Sequence, residues 1–310
     1  RHPFALRRSL AALGYQETIN FSFVDAQWEK DLAGNADPVQ LLNPIASHMS
    51  VMRSSLIGSL LQVVKFNADR KASRVRVFEV GRVFHKNLDT EDSLQSVKGL
   101  DQPMMLAGMA WGPVNELAWK VEKKNADFFD VKADVEAMFA PRPVQFEAAE
   151  HRALHPGRCA RISSEGQSVG WLGELHPKWR QQWDLSHAPV VFELQLDALL
   201  GRTVPVASAV PKLQAVERDI AVVVKEEISH HDLMNCIHSA STQGLLQDAV
   251  LFDVYRPAKE GGNVAVGEKS LAVRLTMQST DATLTDTQIE QAVQAVVQQL
   301  TQQLNARLRT

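Results

Sequence analysis

The chain has 310 residues, 45% of them hydrophobic and 22% charged, a globular composition long enough to build two cores. Its apolar runs, such as 220–224 and 190–196 with Glu193 inside the latter, fall far short of the ~20 residues a membrane helix needs. Its two cysteines, Cys159 and Cys236, give neither a disulfide framework nor a zinc spacing. The net charge of -3 excludes an overall positive field, and residues 209–310 carry 9 Lys+Arg against 12 Asp+Glu, so any nucleic-acid contact there must come from a local patch and from stacking.

Residues 1–14 have the pattern of an amphipathic helix with Leu6, Leu10 and Leu13 on one face. They lack an initiator Met and a small-residue cleavage site, which reads as a piece of a longer chain and not a secreted protein; the two isolated cysteines make a reducing cytoplasm the expected compartment. Residues 54–70 place Leu56, Leu60, Val63 or Val64 and Asn67 at helical intervals, with Ser54 or Ser55 as the cap. A strand over 74–84 follows, with a bulge or turn expected at Gly81. Residues 104–112, 159–177 and 190–200 read as further strands, with a helix at 130–139 between the first two. Antiparallel strands with helices laid against them predict an α+β fold. His151, His155 and Cys159 would align as metal ligands on a helix, but Pro156 and Gly157 interrupt it; residues 154–157 are expected to form a tight turn, and no metal site is assigned.

Pro205 and Pro211, among small residues over 201–213, mark the domain boundary, giving domains 1–208 and 209–310. The second domain predicts a strand at 217–224, a helix at 229–240 capped by Ser229, strands at 247–255 and 269–278 joined by a Gly-rich loop at 259–267, and a last helix. Thr285 and Gln288 fit a capping box for that helix, whose stripe is Ile289, Val293, Val296, Leu300 and Leu304. A short strand at 306–309 completes the βαββαβ order of a ferredoxin-like fold.

At the end of the strand 247–255, alternation predicts Asp253 and Tyr255 on one face and Phe252 and Val254 on the other. Tyr255 can stack on an unpaired base and Asp253 can accept hydrogen bonds from guanine N1 and N2. A cross-strand pair on a solvated sheet face is the open alternative. Lys212, Arg218, Lys269 and Arg274 are the cations assigned to phosphates, provided that Glu226, Glu227, Asp232 and Asp248 fall mostly on other faces.

Two stretches carry a family resemblance. Asn43-Pro44, Met52-Arg53-Ser54-Ser55-Leu56, Asn67 and Phe78-Glu79-Val80-Gly81, followed in order by 127–139, 154–160, 170–177 and 191–200, resemble the catalytic-like module of phenylalanyl-tRNA synthetase β subunits. Residues 211–224, 251–255, 269–275 and 283–293 resemble the ferredoxin-fold anticodon-binding domain that ends those subunits. The resemblance implies a class II synthetase-like sheet without catalysis, an α subunit holding ATP, Mg and phenylalanine in an α2β2 heterotetramer, and no cofactor in this part. It implies the tRNA for phenylalanine as a partner, with neither membrane nor DNA among the partners. It also implies that Asp253 and Tyr255 read the G that opens the anticodon, and that Asn43, Pro44, Arg53, Leu56 and Leu60 lie at the subunit interface; ordinary core packing for Leu56 and Leu60, and an internal salt bridge for Arg53, are the open alternatives. In keeping with a silent module, the strand with Arg76, Glu79 and Arg82 is followed by a Gly-rich strand offering Glu174 and His176 where a triphosphate would want a cation. A regulatory protein with a small-molecule-sensing ferredoxin-like domain is the rival; it would hold Asp253 and Tyr255 in a closed pocket.

Overall fold

The computed structural model describes residues 2–93, 96–201, 204, 206–207, 211–257 and 263–309. Two compact units, Arg1–Val204 and Pro205–Thr310, divide the chain slightly upstream of the predicted boundary. Parts of the predicted linker and of the Gly-rich loop at 259–267 lie outside the described residues. Among the described residues no helix is long and apolar enough to cross a membrane.

The first unit runs α1 (Pro3–Ala12), β1 (Gln16–Glu17), β2 (Phe23–Val24), the short α2 (Ala26–Trp28) continuing as a π-helical turn (Glu29–Ala33), β3 (Val51–Met52), α3 (Ile57–Asp69) and β4 (Val75–Arg82). It continues with β5 (His85–Lys86), β6 (Leu100–Asp101), β7 (Met104–Trp111), α4 (Phe128–Phe139), β8 (Gln145–Ala148), β9 (Leu154–Ser164), β10 (Gln167–Leu175), α5 (Pro177–Gln182), β11 (Val190–Gln195) and α6 (Leu196–Leu200). Seven strands form one sheet in the order β1-β4-β7-β11-β10-β9-β8, with only the short β1–β4 pair parallel.

Alternation along these strands separates two cores. Val75, Val77, Met109 and Val191 meet Leu56, Leu60, Leu61 and Val64 of the α3 segment on one face. Phe78, Leu106, Ala110 and Phe192 meet Leu6 and Leu10 of α1 and Val131, Val135 and Met138 of α4 on the other. A Cβ at Gly108 would overlap the Phe192 ring, so the absence of a side chain there lets the ring lie flat on the sheet.

Four local expectations need correction. Residues 154–157 form no tight turn: they open β9, and the pairing jumps from Leu175↔Leu154 to Gly173↔Cys159. The interruption suits Pro156, which has no N–H to give the ladder. Residues 190–200 are not one strand; Leu196 starts α6, where helical spacing buries Leu196 and Leu199 together. Gly81 carries no bulge, since β4 and β7 pair in continuous register. The helix predicted from Ser54 starts at Ile57, whose N–H donates to the Ser55 hydroxyl at 3.1 Å.

The second unit contains β12 (Val216–Lys225), α7 (His230–His238), β13 (Leu246–Tyr255), β14 (Glu268–Met277), α8 (Asp286–Leu304) and β15 (Arg307–Leu308), with sheet order β13-β14-β12-β15. Ser229 with Asp232, and Thr285 with Gln288, form complete capping boxes at α7 and α8. Ile220, Val222, Ala249, Val273 and Leu275 pack against Leu233, Ile237, Val296 and Leu300 of the two helices. Both helices therefore lie on one side of the sheet, leaving the other open.

Candidate nucleic-acid interface

Strand register decides what the open face displays. Asp219↔Arg274, Ala221↔Ala272 and Glu217↔Thr276 are out of phase with the buried pairs Ile220↔Val273 and Val222↔Leu271, so they point away from the helices. On the neighbouring β13, Leu251 faces Val273 but Asp253 already faces Ala272, so Phe252 is an extra residue in the ladder. The bulge corrects the simple alternation: Phe252 is not turned toward the core but is 54% exposed, with the Arg274 guanidinium 5.6 Å from its ring centre. Tyr255, opposite Ser270, is 45% exposed, and Arg309 lies over its ring at 4.8 Å. Two exposed aromatic rings, the Asp253 carboxylate and two guanidinium groups thus share the end of this face, with small Ala221 and Ala272 between them.

The predicted cations do not all join this cluster. Arg274 does, bonded to Asp219 at 2.8 and 3.0 Å and within 3.2 Å of Glu217; the two acids raise its pKa, and its guanidinium in turn lowers that of Asp219. Lys269 leaves the phosphate set: it is buried and donates to the Glu226 carbonyl at 2.7 Å. Arg218 pairs in register with Leu275, which sends its exposed side chain to the helix side. Lys212 is exposed in the segment before β12. Among the acids expected elsewhere, Asp232 caps α7 and Glu226 binds Arg256 at 2.8 Å, whereas Asp248 opposes Thr276 on the open face. The face is consequently of mixed charge. Arg309 and Phe252 are the residues that sequence reasoning missed; the basic end of the chain, Arg307 to Arg309, was a signal for the first. The small-molecule-sensor alternative needs Asp253 and Tyr255 enclosed, and both are exposed.

The first unit uses its polar signature inward. Arg53 is 2% exposed and lies 2.8 Å from Glu79 in a close charge contact, while its Nε donates to the Arg82 carbonyl at 3.1 Å. A Cβ at Gly81 would overlap its guanidinium. The Ser54 N–H donates to Glu29 at 3.0 Å, and the Ser54 hydroxyl to the other oxygen of that carboxylate. Glu193 accepts from the Ser55 hydroxyl at 3.1 Å and the Leu56 N–H at 2.6 Å, and burial pushes its carboxyl up to about 7. Three carboxylates from three elements thereby fasten consecutive residues of one segment.

This geometry corrects the interface expectation for Arg53, Leu56 and Leu60. All three are buried in the unit's own core, Leu56 and Leu60 at 0% exposure. Asn43 and Pro44 are exposed, between Leu42 at 98% and Ile45 at 73%. Nor is Arg76 free for a triphosphate, while Arg82 is exposed and donates to the Gln102 carbonyl at 2.7 Å. Arg76 is buried against Asp134 at 3.2 Å, which also accepts from Tyr15 at 2.9 Å, and Glu174 is held by Arg158 at 2.8 Å. Among the described residues no group of three His, Cys, Asp or Glu side chains can hold a metal ion; His151 instead packs on Trp171, with ring centres 5.1 Å apart.

Residues 4–196 match the family described as Phenylalanyl tRNA synthetase beta chain CLM domain, and residues 211–309 match the Ferredoxin-fold anticodon binding domain. The phenylalanine–tRNA ligase beta subunit of Cupriavidus pinatubonensis is 49% identical over 100% of this chain and 38% of its own length. The corresponding subunits of Ralstonia nicotianae (49%, over 98% of this chain and 38% of that protein) and Burkholderia pseudomallei (47%, over 100% and 39%) are similar to the same extent. The chain thus spans well under half the length of the curated relatives it matches. A solved pyrrolysyl tRNA synthetase from Desulfitobacterium hafniense shares 15% identity at a TM-score of 0.43, over 64% of this chain and 65% of that one, a likeness too weak to carry an argument. With a first unit matching the CLM domain, whose Arg53 and Arg76 are paired internally, followed by an anticodon-binding fold with an exposed aromatic face, the chain belongs to the phenylalanyl-tRNA synthetase β-chain family.

Proposed function

We propose that this chain is the tRNA-positioning and structural part of a phenylalanine–tRNA ligase β subunit, working in the cytoplasm. The supporting observation is the cluster of Phe252, Asp253 and Tyr255 on the open face, with Arg274 and Arg309 against the two rings. Tyr255 stacks on the first anticodon base of the tRNA for phenylalanine, and Asp253 accepts from N1 and N2 if that base is G. Phosphates are drawn by Arg309, by Arg274 once it exchanges an acidic partner for one, and by Lys212 and Arg218 from outside the face.

Amino-acid activation, with its ATP and Mg, belongs to the α subunit in this reading, because Arg53 and Arg76 of the first unit are committed to Glu79 and Asp134. The first unit joins α through the exposed Leu42-Asn43-Pro44-Ile45 loop; Ile19 and Phe21 of the same unit are also exposed, at 93% and 62%. An α2β2 heterotetramer is the assembly this supports. Titration of the chain with a labelled anticodon stem-loop bearing GAA, at two salt concentrations, tests the RNA role. Saturable binding that weakens with salt and with replacement of the first base is expected; no binding at low salt, or equal binding of both stem-loops, removes it.

A further inference from the structure

Glu193 has a feature that neither tRNA positioning nor assembly uses. It sits in the middle strand of the seven-stranded sheet, 8% exposed, and lines a cavity of about 230 Å3 on the α3 side. Its hydrogen-bond partners are neutral, Ser55 and the Leu56 N–H, while the nearby guanidinium of Arg53 is paired with Glu79. Among the described residues it has no ion-pair partner. A buried carboxylate without a cation is expensive, and burial accordingly raises its pKa to about 7, with Glu29 adding to the rise and Arg53 opposing it. The two Glu193 oxygens share the Ser55 hydroxyl, and only one takes the Leu56 N–H, which leaves acceptor capacity.

The remaining wall is mixed: Trp171, Met105 and Val83 offer apolar surface to a short stem, Ser168 and Gln195 add polar groups, and His85 and His151 complete it, burial holding the His151 pKa below its usual value. Gln195 is exposed and lies two residues beyond Glu193 on the same face of β11. We infer that this cavity binds a small organic cation, an alkylammonium or alkylguanidinium, with its charged head on Glu193 and its stem against Trp171 and Met105.

The test is calorimetric titration of the chain at pH 8, where Glu193 is ionised, with n-butylguanidinium and n-butylammonium, and with n-butanol as the neutral counterpart. Saturable binding of at least one cation, absent for butanol and weakened about tenfold or more by Glu193→Gln, is expected. Absence of saturable binding, or equal affinity in Glu193→Gln, overturns the inference. Should Glu193→Gln fail to fold, Gln195→Lys decides, because it brings an internal ammonium within reach of Glu193. Loss of binding together with a raised melting temperature supports the site, and unchanged binding in Gln195→Lys refutes it.

Discussion

The Arg53–Leu56 segment and the end of β13 are both short polar stretches of the kind that sequence reading marks as functional, yet the fold treats them oppositely. Arg53, Ser54 and Ser55 each meet a carboxylate from another element, and Arg53, Ser55 and Leu56 are buried. Phe252, Asp253 and Tyr255 are all exposed, and the bulge at Phe252 brings them to one side. The difference teaches that a signature residue reports on function only once its partners are known: a guanidinium facing a buried carboxylate is architecture, whereas one lying over an exposed ring is available to a ligand.

Substitutions should separate the two regions. The largest expected effect is at the buried ion pair: Arg53→Met leaves Glu79 buried without its cation and should destabilise the first unit by about 3–5 kcal/mol, read by urea unfolding. A loss below about 1 kcal/mol would mean that the segment is not held as described. Next is pH. Glu193 has its folded-state pKa raised from 4.5 to about 7, so its contribution to stability is complete below about pH 4.5 and is lost as pH rises through about 7. The difference corresponds to about 3 kcal/mol. Glu193→Gln should therefore unfold with a flatter pH dependence between pH 5 and 8, and parallel profiles for the two proteins would contradict the burial argument.

Smaller effects are expected in the second unit, and in binding, not in folding. Tyr255→Ala should weaken the GAA stem-loop about 5- to 150-fold by loss of stacking while leaving the melting temperature within about 2 °C. Arg309→Ala should weaken it about two- to fivefold, through the cation over Tyr255 and any phosphate it meets. Filter binding over a salt series checks both. If Arg309→Ala proves more damaging than Tyr255→Ala, the face works by charge more than by stacking.

Much of the architecture was legible because local physics fixes it. The Ser229 cap of α7, the capping box and apolar stripe of α8 and the βαββαβ order follow from spacing alone. What stayed hidden depends on partners remote in sequence. Nothing near Arg53 announces Glu79, and nothing near Lys269 announces that its ammonium will be taken by a carbonyl of the β12 end. The bulge at Phe252 depends on β14 fixing the register, so period-two alternation misplaced one aromatic ring while placing Asp253 and Tyr255 together correctly.

The most direct test of the account is a cycle pairing Asp253→Asn with replacement of the first anticodon base, G to inosine, which lacks the N2 amine. Coupling is expected: the unmodified protein prefers G, and Asp253→Asn loses most of that preference while binding the inosine stem-loop about as well as the unmodified protein does. Equal losses of affinity for both stem-loops on Asp253→Asn would contradict base reading by this carboxylate.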